Sequence, residues 1–114
     1  MMDWNAYRDQ INAAVRGMSA ANPDLVRAYA GLSHANAKSS HLDFKTRELI
    51  ALAVAVSLRC DGCINAHTEA AIKAGASKEE IVDALGVAIM VNAGAAMVYS
   101  ARTIDAYDAK SAGQ

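Results

Sequence analysis

The stretch Asp43-Phe44-Lys45-Thr46-Arg47-Glu48-Leu49-Ile50-Ala51-Leu52-Ala53-Val54-Ala55-Val56-Ser57 decides the fold class. Asp43 is a helix N-cap by chemistry, because its carboxylate can accept a backbone N–H that the first turn leaves without a partner. Charged residues follow at Lys45, Arg47 and Glu48, and the chain is then apolar without interruption from Leu49 to Val56. With a cap before it and no turn signal inside it, this stretch reads as a helix that is apolar on all sides, which predicts burial on all sides.

Working outward, apolar spacing and caps divide the rest of the chain into helices too, with no convincing strand. Asp3 caps a first helix carrying Trp4, Tyr7, Ile11, Ala14, Val15 and Met18 at three- and four-residue spacing, with Gly17 near its end. Asn22-Pro23 starts a second, with Asn22 at the N-cap and Pro23 at the first helical position, where its missing N–H costs nothing. Leu25, Val26, Tyr29 and Leu32 mark its buried stripe. The polar stretch from His34 to His41 reads as a helix end and loop, and its two histidines as solvated residues. Cys60 to Ala74 reads as a fourth helix closed by Gly75, at the position that favours a left-handed residue. Ser77-Lys78-Glu79-Glu80 has the form of a capping box and opens a helical pattern that runs to about Asp108. Asn92-Ala93-Gly94 is a candidate break or kink in that pattern, and the residues from Lys110 onward are expected to fray. The expectation is an all-α bundle of about five to six helices in a single domain, residues 1–114.

Composition narrows the function classes. Apolar residues make up 54% of the 114, yet aromatic residues only 5%, so the apolar mass is mostly small aliphatic side chains. A chain this short with so little area per apolar residue has a thin core, which predicts a homo-oligomer. The stripe of Met90 and Met97 suits a core or a subunit interface, and Tyr99 and Tyr107 are candidates to line a pocket. The formal net charge is −1, with no basic stripe, which speaks against nucleic acid as a partner. The run Leu49–Val56 is far short of the ~20 residues that span a bilayer, and Met1-Met2-Asp3-Trp4 lacks the pattern of a signal peptide. No membrane partner and a cytoplasmic location are expected.

The chemistry is carried by Cys60-Asp61-Gly62-Cys63 and His67. In a reducing compartment, two cysteines three apart are more often catalytic or metal-binding than a staple. On a helix, positions 60, 63 and 67 share one face. In a first turn the free N–H groups and the helix dipole stabilise a thiolate, lowering the pKa from its reference of about 8.5. His67 lies one turn beyond Cys63, placed to exchange a proton with it, while Cys60 is two turns away. Geometry therefore favours Cys63 as the proton-coupled thiol and Cys60 as its resolving partner. The competing readings are inert buried thiols, a zinc site of Cys60, Cys63, His67 and a carboxylate, and a structural disulfide. So small a loop makes the last worth only about 2 kcal/mol. Ile64 excludes a c-type haem site, which requires His directly after the second Cys. Glu48, where the third helix turns apolar, is either an exposed first-turn residue or a partly buried carboxylate with a raised pKa that takes up a proton.

Three segments together carry a resemblance: Lys45-Thr46-Arg47-Glu48-Leu49-Ile50, then Cys60-x-x-Cys63-x-x-x-His67, then Gly75-Ala76-Ser77-x-Glu79-Glu80-Ile81. From about residue 42 to residue 107 the chain resembles the carboxymuconolactone decarboxylase superfamily, and within it the alkylhydroperoxidase D-like branch. The resemblance implies an all-α fold, homo-oligomers that are commonly trimers or hexamers, and a thiol-dependent peroxidase acting on a small hydroperoxide. It implies that Cys63 attacks the peroxide, that Cys60 resolves it as a disulfide, and that Glu48 heads a proton relay running through water to His67. No metal or organic cofactor is implied. The disulfide is re-reduced by an external dithiol such as a protein-bound lipoyl group or a thioredoxin-like protein. The chain departs from the best-known alkylhydroperoxidases at Gly62, where they carry His, and those proteins are longer, with an extra N-terminal helical portion. A general disulfide oxidoreductase or redox sensor, a lactone-acting lyase using Glu48 and His67, and a non-catalytic oligomer are the alternatives.

Overall fold

The computed structural model describes residues 1–39 and 41–113. They form five α-helices and, among the described residues, no strand: α1 (Trp4–Ala21), α2 (Pro23–Ala37), α3 (Phe44–Leu58), α4 (Asp61–Lys73) and α5 (Lys78–Ala112). The caps explain the starts. Asp3 accepts the Ala6 N–H at 3.0 Å, Asn22 the Leu25 N–H at 3.2 Å and Asp43 the Thr46 N–H at 2.7 Å. Ser77 and Glu80 form a complete capping box, with both bonds at 3.0 Å. Each bond satisfies a donor that the first turn would otherwise leave open.

Both ends of α4 are set by the same kind of turn. At Gly75 (φ 87°) the Ala76 N–H returns to the Ala71 carbonyl and the Gly75 N–H to that of Ile72, each at 3.0 Å. At the end of α3, Arg59 (φ 54°) takes the left-handed position, with the Cys60 N–H on the Ala55 carbonyl at 3.0 Å. This double closure turns the chain sharply, so α4 folds back against α3.

Polar pairs fix the direction of packing. Lys45 meets Glu80 at 2.8 Å, and Asn92 donates to the Ser57 hydroxyl at 2.7 Å, so α5 runs parallel to α3. The Asn65 amide donates to the Trp4 carbonyl at 2.7 Å and Arg8 meets Glu69 at 3.5 Å, which fasten α1 to α4. Among the described residues, the helices pack side by side in the order α2–α1–α4–α3–α5, and Arg47 of α3 also donates to the Asn36 carbonyl in the last turn of α2 at 2.9 Å.

That order explains where burial falls short of the sequence expectations. Only Leu52, Ala55, Ala71 and Ala88 are buried among the described residues. On α3, buried all round by expectation, Ile50, Val54 and Leu58 are 50%, 51% and 72% exposed, because α4 and α5 cover only part of it. Leu25, Tyr29 and Leu32 of the expected α2 stripe are exposed, since α2 packs along α1 and meets α3 only through its last turn. Met90, Met97, Tyr99 and Tyr107 are also exposed and form neither a core nor a pocket wall within the chain.

Other boundaries move as well. His34 lies in the last turn of α2, not in a loop, whereas His41 precedes α3; Ser40, between them, lies outside the described residues. Gly17 sits inside α1, which continues to Ala21. Asn92-Ala93-Gly94 does not break α5, which is continuous over 35 residues, because the Asn92 amide is taken up by the Ala88 carbonyl and Ser57. The helix extends to Ala112, past the expected end near Asp108; Gln114 lies outside the described residues. By length and composition alone α5 could cross a membrane, although polar Asn92 interrupts its apolar sequence.

The Lys45–Glu80 pair gives a pH dependence with a definite sign. Lys45, and then the Ser77 N–H, hold the Glu80 carboxyl below its ordinary value of 4.5. A lowered folded value means that the contribution is complete above the unfolded value and lost as pH falls through the folded one. Melting temperature is therefore expected to decline as pH falls below the ordinary carboxyl value of 4.5, and less steeply in Glu80→Gln than in the parent. Parallel curves for the two proteins would show that the pair contributes nothing.

Candidate functional site

The turn at Arg59 delivers Cys60 to the N-cap of α4, one position before the helix rather than inside it as the sequence reading had it. Its Sγ accepts the backbone N–H of Cys63 at 3.2 Å. The two residues, 5.3 Å apart at Cα, are joined as a disulfide, so the pair is in its oxidised state. Both are half-buried. An N-cap sulfur facing a helix N-terminus is also favoured as an anion, by the N–H bond and by the dipole. The geometry thus gives Cys60 a thiolate-stabilising contact that does not involve His67.

Glu48 and His67 come together across α3 and α4, with Glu48 Oε2 2.6 Å from His67 Nδ1. The glutamate side chain is 21% exposed and the histidine 39%. Glu48 is therefore partly enclosed and paired with the imidazole, not an exposed first-turn residue. It meets the imidazole directly, where the resemblance implied a bridging water. Engaging Nδ1 fixes the ring and leaves Nε2 for a proton partner. His67 lies one helical turn beyond Cys63 on the same helix, the spacing at which side chains are neighbours. No hydrogen bond links His67 to either sulfur among the described residues, as expected when a disulfide holds no thiol proton.

Glu48 also borders a shallow concavity of about 290 Å³ with Phe44, Ala70, Lys73 and Ala74. A second groove, of about 330 Å³, runs between α1 and α4 from Gly62 to Lys73, past Tyr7 and Ile11, and shares Ala70 and Lys73 with the first. Gly62 has open space where a Cβ would stand, so this position of the motif presents only backbone. Lys73, and after it Arg8, hold the Glu69 carboxyl in this groove below its ordinary range. No set of three His, Cys, Asp or Glu residues converges on a metal position among the described residues, so the ligands of the zinc alternative are not assembled. His41 stands apart from the four-residue set, beside Asn36 and Arg47.

Asn65 and Arg59 escaped the sequence reading. Asn65 lies between Cys63 and His67 in sequence and holds α1 onto α4, and a polar amide on that helix was the available signal. Arg59 carried no signal, since its left-handed backbone is one that a glycine would normally mark.

The chain is similar to other proteins in sequence and in structure. An uncharacterized protein of Haemophilus influenzae is 46% identical over 110 residues, covering 96% of this chain and 97% of the relative. An uncharacterized protein from the cox locus of Paracoccus denitrificans is 34% identical over 97 residues, covering 85% and 87%. The crystal structure of an apo carboxymuconolactone decarboxylase family protein from Legionella pneumophila superposes with a TM-score of 0.74 at 31% identity, covering 92% of this chain and 94% of that one. A structure from Methanobacterium thermoautotrophicum gives 0.70 at 28% identity, covering 75% and 97%. The model of the carboxymuconolactone decarboxylase family matches residues 23–106, so that α2 as well as the core from residue 42 onward falls within it. With the family pattern spanning most of the chain and the same helical arrangement in a family protein, this chain belongs to the carboxymuconolactone decarboxylase family.

Proposed function

We propose that this chain is a thiol-dependent peroxidase of the alkylhydroperoxidase D-like kind, working in the cytoplasm on small hydroperoxides. The observation that carries the reading is the Glu48–His67 pair at 2.6 Å, one turn beyond a dithiol that stands at a helix N-terminus. His67 takes the Cys63 thiol proton, and Glu48 stabilises the imidazolium that results. The Cys63 thiolate attacks the outer oxygen of the hydroperoxide, the O–O bond breaks, and the alkoxide leaves as an alcohol with the proton from His67. Cys63 is then a sulfenic acid. Cys60 gives up its thiol proton, and its thiolate, favoured by the N-cap position, displaces hydroxide, which takes up that proton and leaves as water as the disulfide closes. Two electrons have passed from the thiols to the peroxide. An external dithiol, either a lipoyl group or a thioredoxin-like protein, returns them by exchange. No metal or organic cofactor enters these steps.

The test is stoichiometric. Reduced protein treated with one equivalent of an alkyl hydroperoxide is expected to lose both thiols and form one equivalent of alcohol, with the new disulfide mapped by mass to Cys60 and Cys63. Thiols that survive the peroxide but exchange readily with a small disulfide would replace this reading with a general disulfide oxidoreductase. Intact thiols in both reactions would leave neither standing.

A further inference from the structure

Two turns of this fold use the same left-handed closure but fill it with different residues. After α4 the left-handed position is Gly75 (φ 87°), where no Cβ stands in the way. After α3 it is Arg59 (φ 54°), the one non-glycine residue with positive φ among the described residues. There the Cβ crowds the following carbonyl oxygen, a conflict that glycine escapes. Backbone strain of this kind concentrates at functional sites.

The Arg59 side chain contributes no polar contact to the fold. The residue is exposed, and among the described residues its guanidinium has no hydrogen bond or ion pair. By contrast, Arg8 and Arg27 pair with carboxylates, and Arg47 donates to two backbone carbonyls. What position 59 does offer is nearness to the dithiol, since it directly precedes Cys60, the N-cap of α4. Asp61, on the other side of Cys60, lies in the first turn, where the helix dipole balances an acidic side chain. Arg59 is the uncompensated charge beside the bridge.

Reduction of that bridge brings an anion to this spot. His67 stands one turn beyond Cys63 and can protonate its sulfur, which makes Cys63 the better leaving group and directs attack to Cys60. The attacking group is a thiolate, and it arrives beside Arg59. We propose that Arg59 is a specificity-determining residue for the reductant, selecting a dithiol that carries negative charge near its attacking sulfur. The proposal rests on the thiol cycle given above. One thiolate of the reductant bonds to Cys60 Sγ, the Cys60–Cys63 bond breaks, and Cys63 leaves. The second thiolate displaces Cys60 and closes the disulfide of the reductant. Two electrons pass to the protein, and the two thiol protons of the reductant end on Cys60 and Cys63.

The experiment is rapid-mixing reduction of the oxidised protein without peroxide, with acid quenching and mass analysis of Cys60 and Cys63. Three monothiols in excess serve as probes: mercaptopropionate (anionic), mercaptoethanol (neutral) and cysteamine (cationic). A unit charge ~5 Å from an incoming thiolate in water changes its rate about fourfold. At low salt, Arg59→Gly is therefore expected to slow mercaptoethanol about fourfold and mercaptopropionate about tenfold, and to leave cysteamine within about twofold. Arg59→Lys restores the parent order, and about 1 M salt, with a Debye length of ~3 Å, removes most of the differences. Arg16→Gln, which removes the same charge where α1 has run away from Cys60, changes none of the rates. The melting temperature of Arg59→Gly is expected to hold or rise, since lost strain offsets the greater freedom of the unfolded chain. Equal slowing of all three thiols, or of none, overturns the proposal. So does a loss in Arg16→Gln that matches the one in Arg59→Gly, which would make net charge the cause. A lower melting temperature in Arg59→Gly, with the charge order kept, would make the side chain a support of the turn and also overturns it. A bridge that no thiol opens removes the dithiol cycle itself, whereas a bridge that opens in this order in a protein inert to peroxide keeps Arg59 in its role and ends only the peroxidase reading.

Discussion

In Cys63→Ser, catalysed hydroperoxide consumption is expected to fall by at least about a thousandfold, to the rate of the uncatalysed reaction. A serine hydroxyl yields no appreciable anion at neutral pH, and the imidazole of His67 cannot make a peroxide-cleaving nucleophile of it. Cys60→Ser is expected to behave differently. Its Cys63 thiolate still attacks, so one equivalent of peroxide is consumed in a first turnover. The reaction then stops at a sulfenic acid with no partner, which a sulfenic-acid reagent captures at Cys63. The pair of variants therefore separates attack from resolution in one rapid-mixing experiment. The contest is real, because Cys60 has its own stabilising contact, the Cys63 N–H at 3.2 Å. A first-turnover burst in Cys63→Ser and none in Cys60→Ser would reverse the two roles. Full steady-state activity in Cys63→Ser would end the peroxidase reading.

How far the site could be read from the residues depends on which contacts were local. The caps at Asp3, Asn22, Asp43 and Ser77 bond within three residues of themselves, and all four stand where the sequence places them. The nearness of Glu48 to His67 is a contact across 19 positions. It was legible only through the family resemblance, because no cap or periodicity local to either residue encodes it; what realises it is the tight turn that sets α3 and α4 antiparallel. The turn itself was not legible. Arg59 adopts the conformation of a glycine without being one, so the fourth helix was started one residue early, at Cys60. That small shift matters chemically, since it changes Cys60 from a residue inside the first turn to the cap that receives its N–H. Burial was the least legible property. Apolar periodicity says which face is to be covered, but not whether the same chain covers it. Leu25, Tyr29, Leu32 and the apolar face of α5 carry the pattern of buried residues and lie exposed in the single chain.

Glu48→Gln and His67→Ala are each expected to slow peroxide turnover by about a hundredfold to a thousandfold at neutral pH, and the double variant by no more than the worse of the two. The reason is that the residues act as one device. His67 without Glu48 keeps its basic nitrogen but loses the carboxylate, 2.6 Å away, that holds the ring and offsets the imidazolium charge. Glu48 without His67 has nothing to pass the proton from Cys63. Either loss disables the same step, so the second adds little. The step is deprotonation of a thiol, which supplies a readout that loss of folding cannot mimic. Above about pH 8.5, the reference value of a free thiol, solvent removes the proton without help, and the variants are expected to approach the parent rate. If the two losses multiply in the double variant, Glu48 and His67 do not form a relay. If high pH restores nothing, their pairing serves to hold α3 against α4, and the proton from Cys63 leaves by another route.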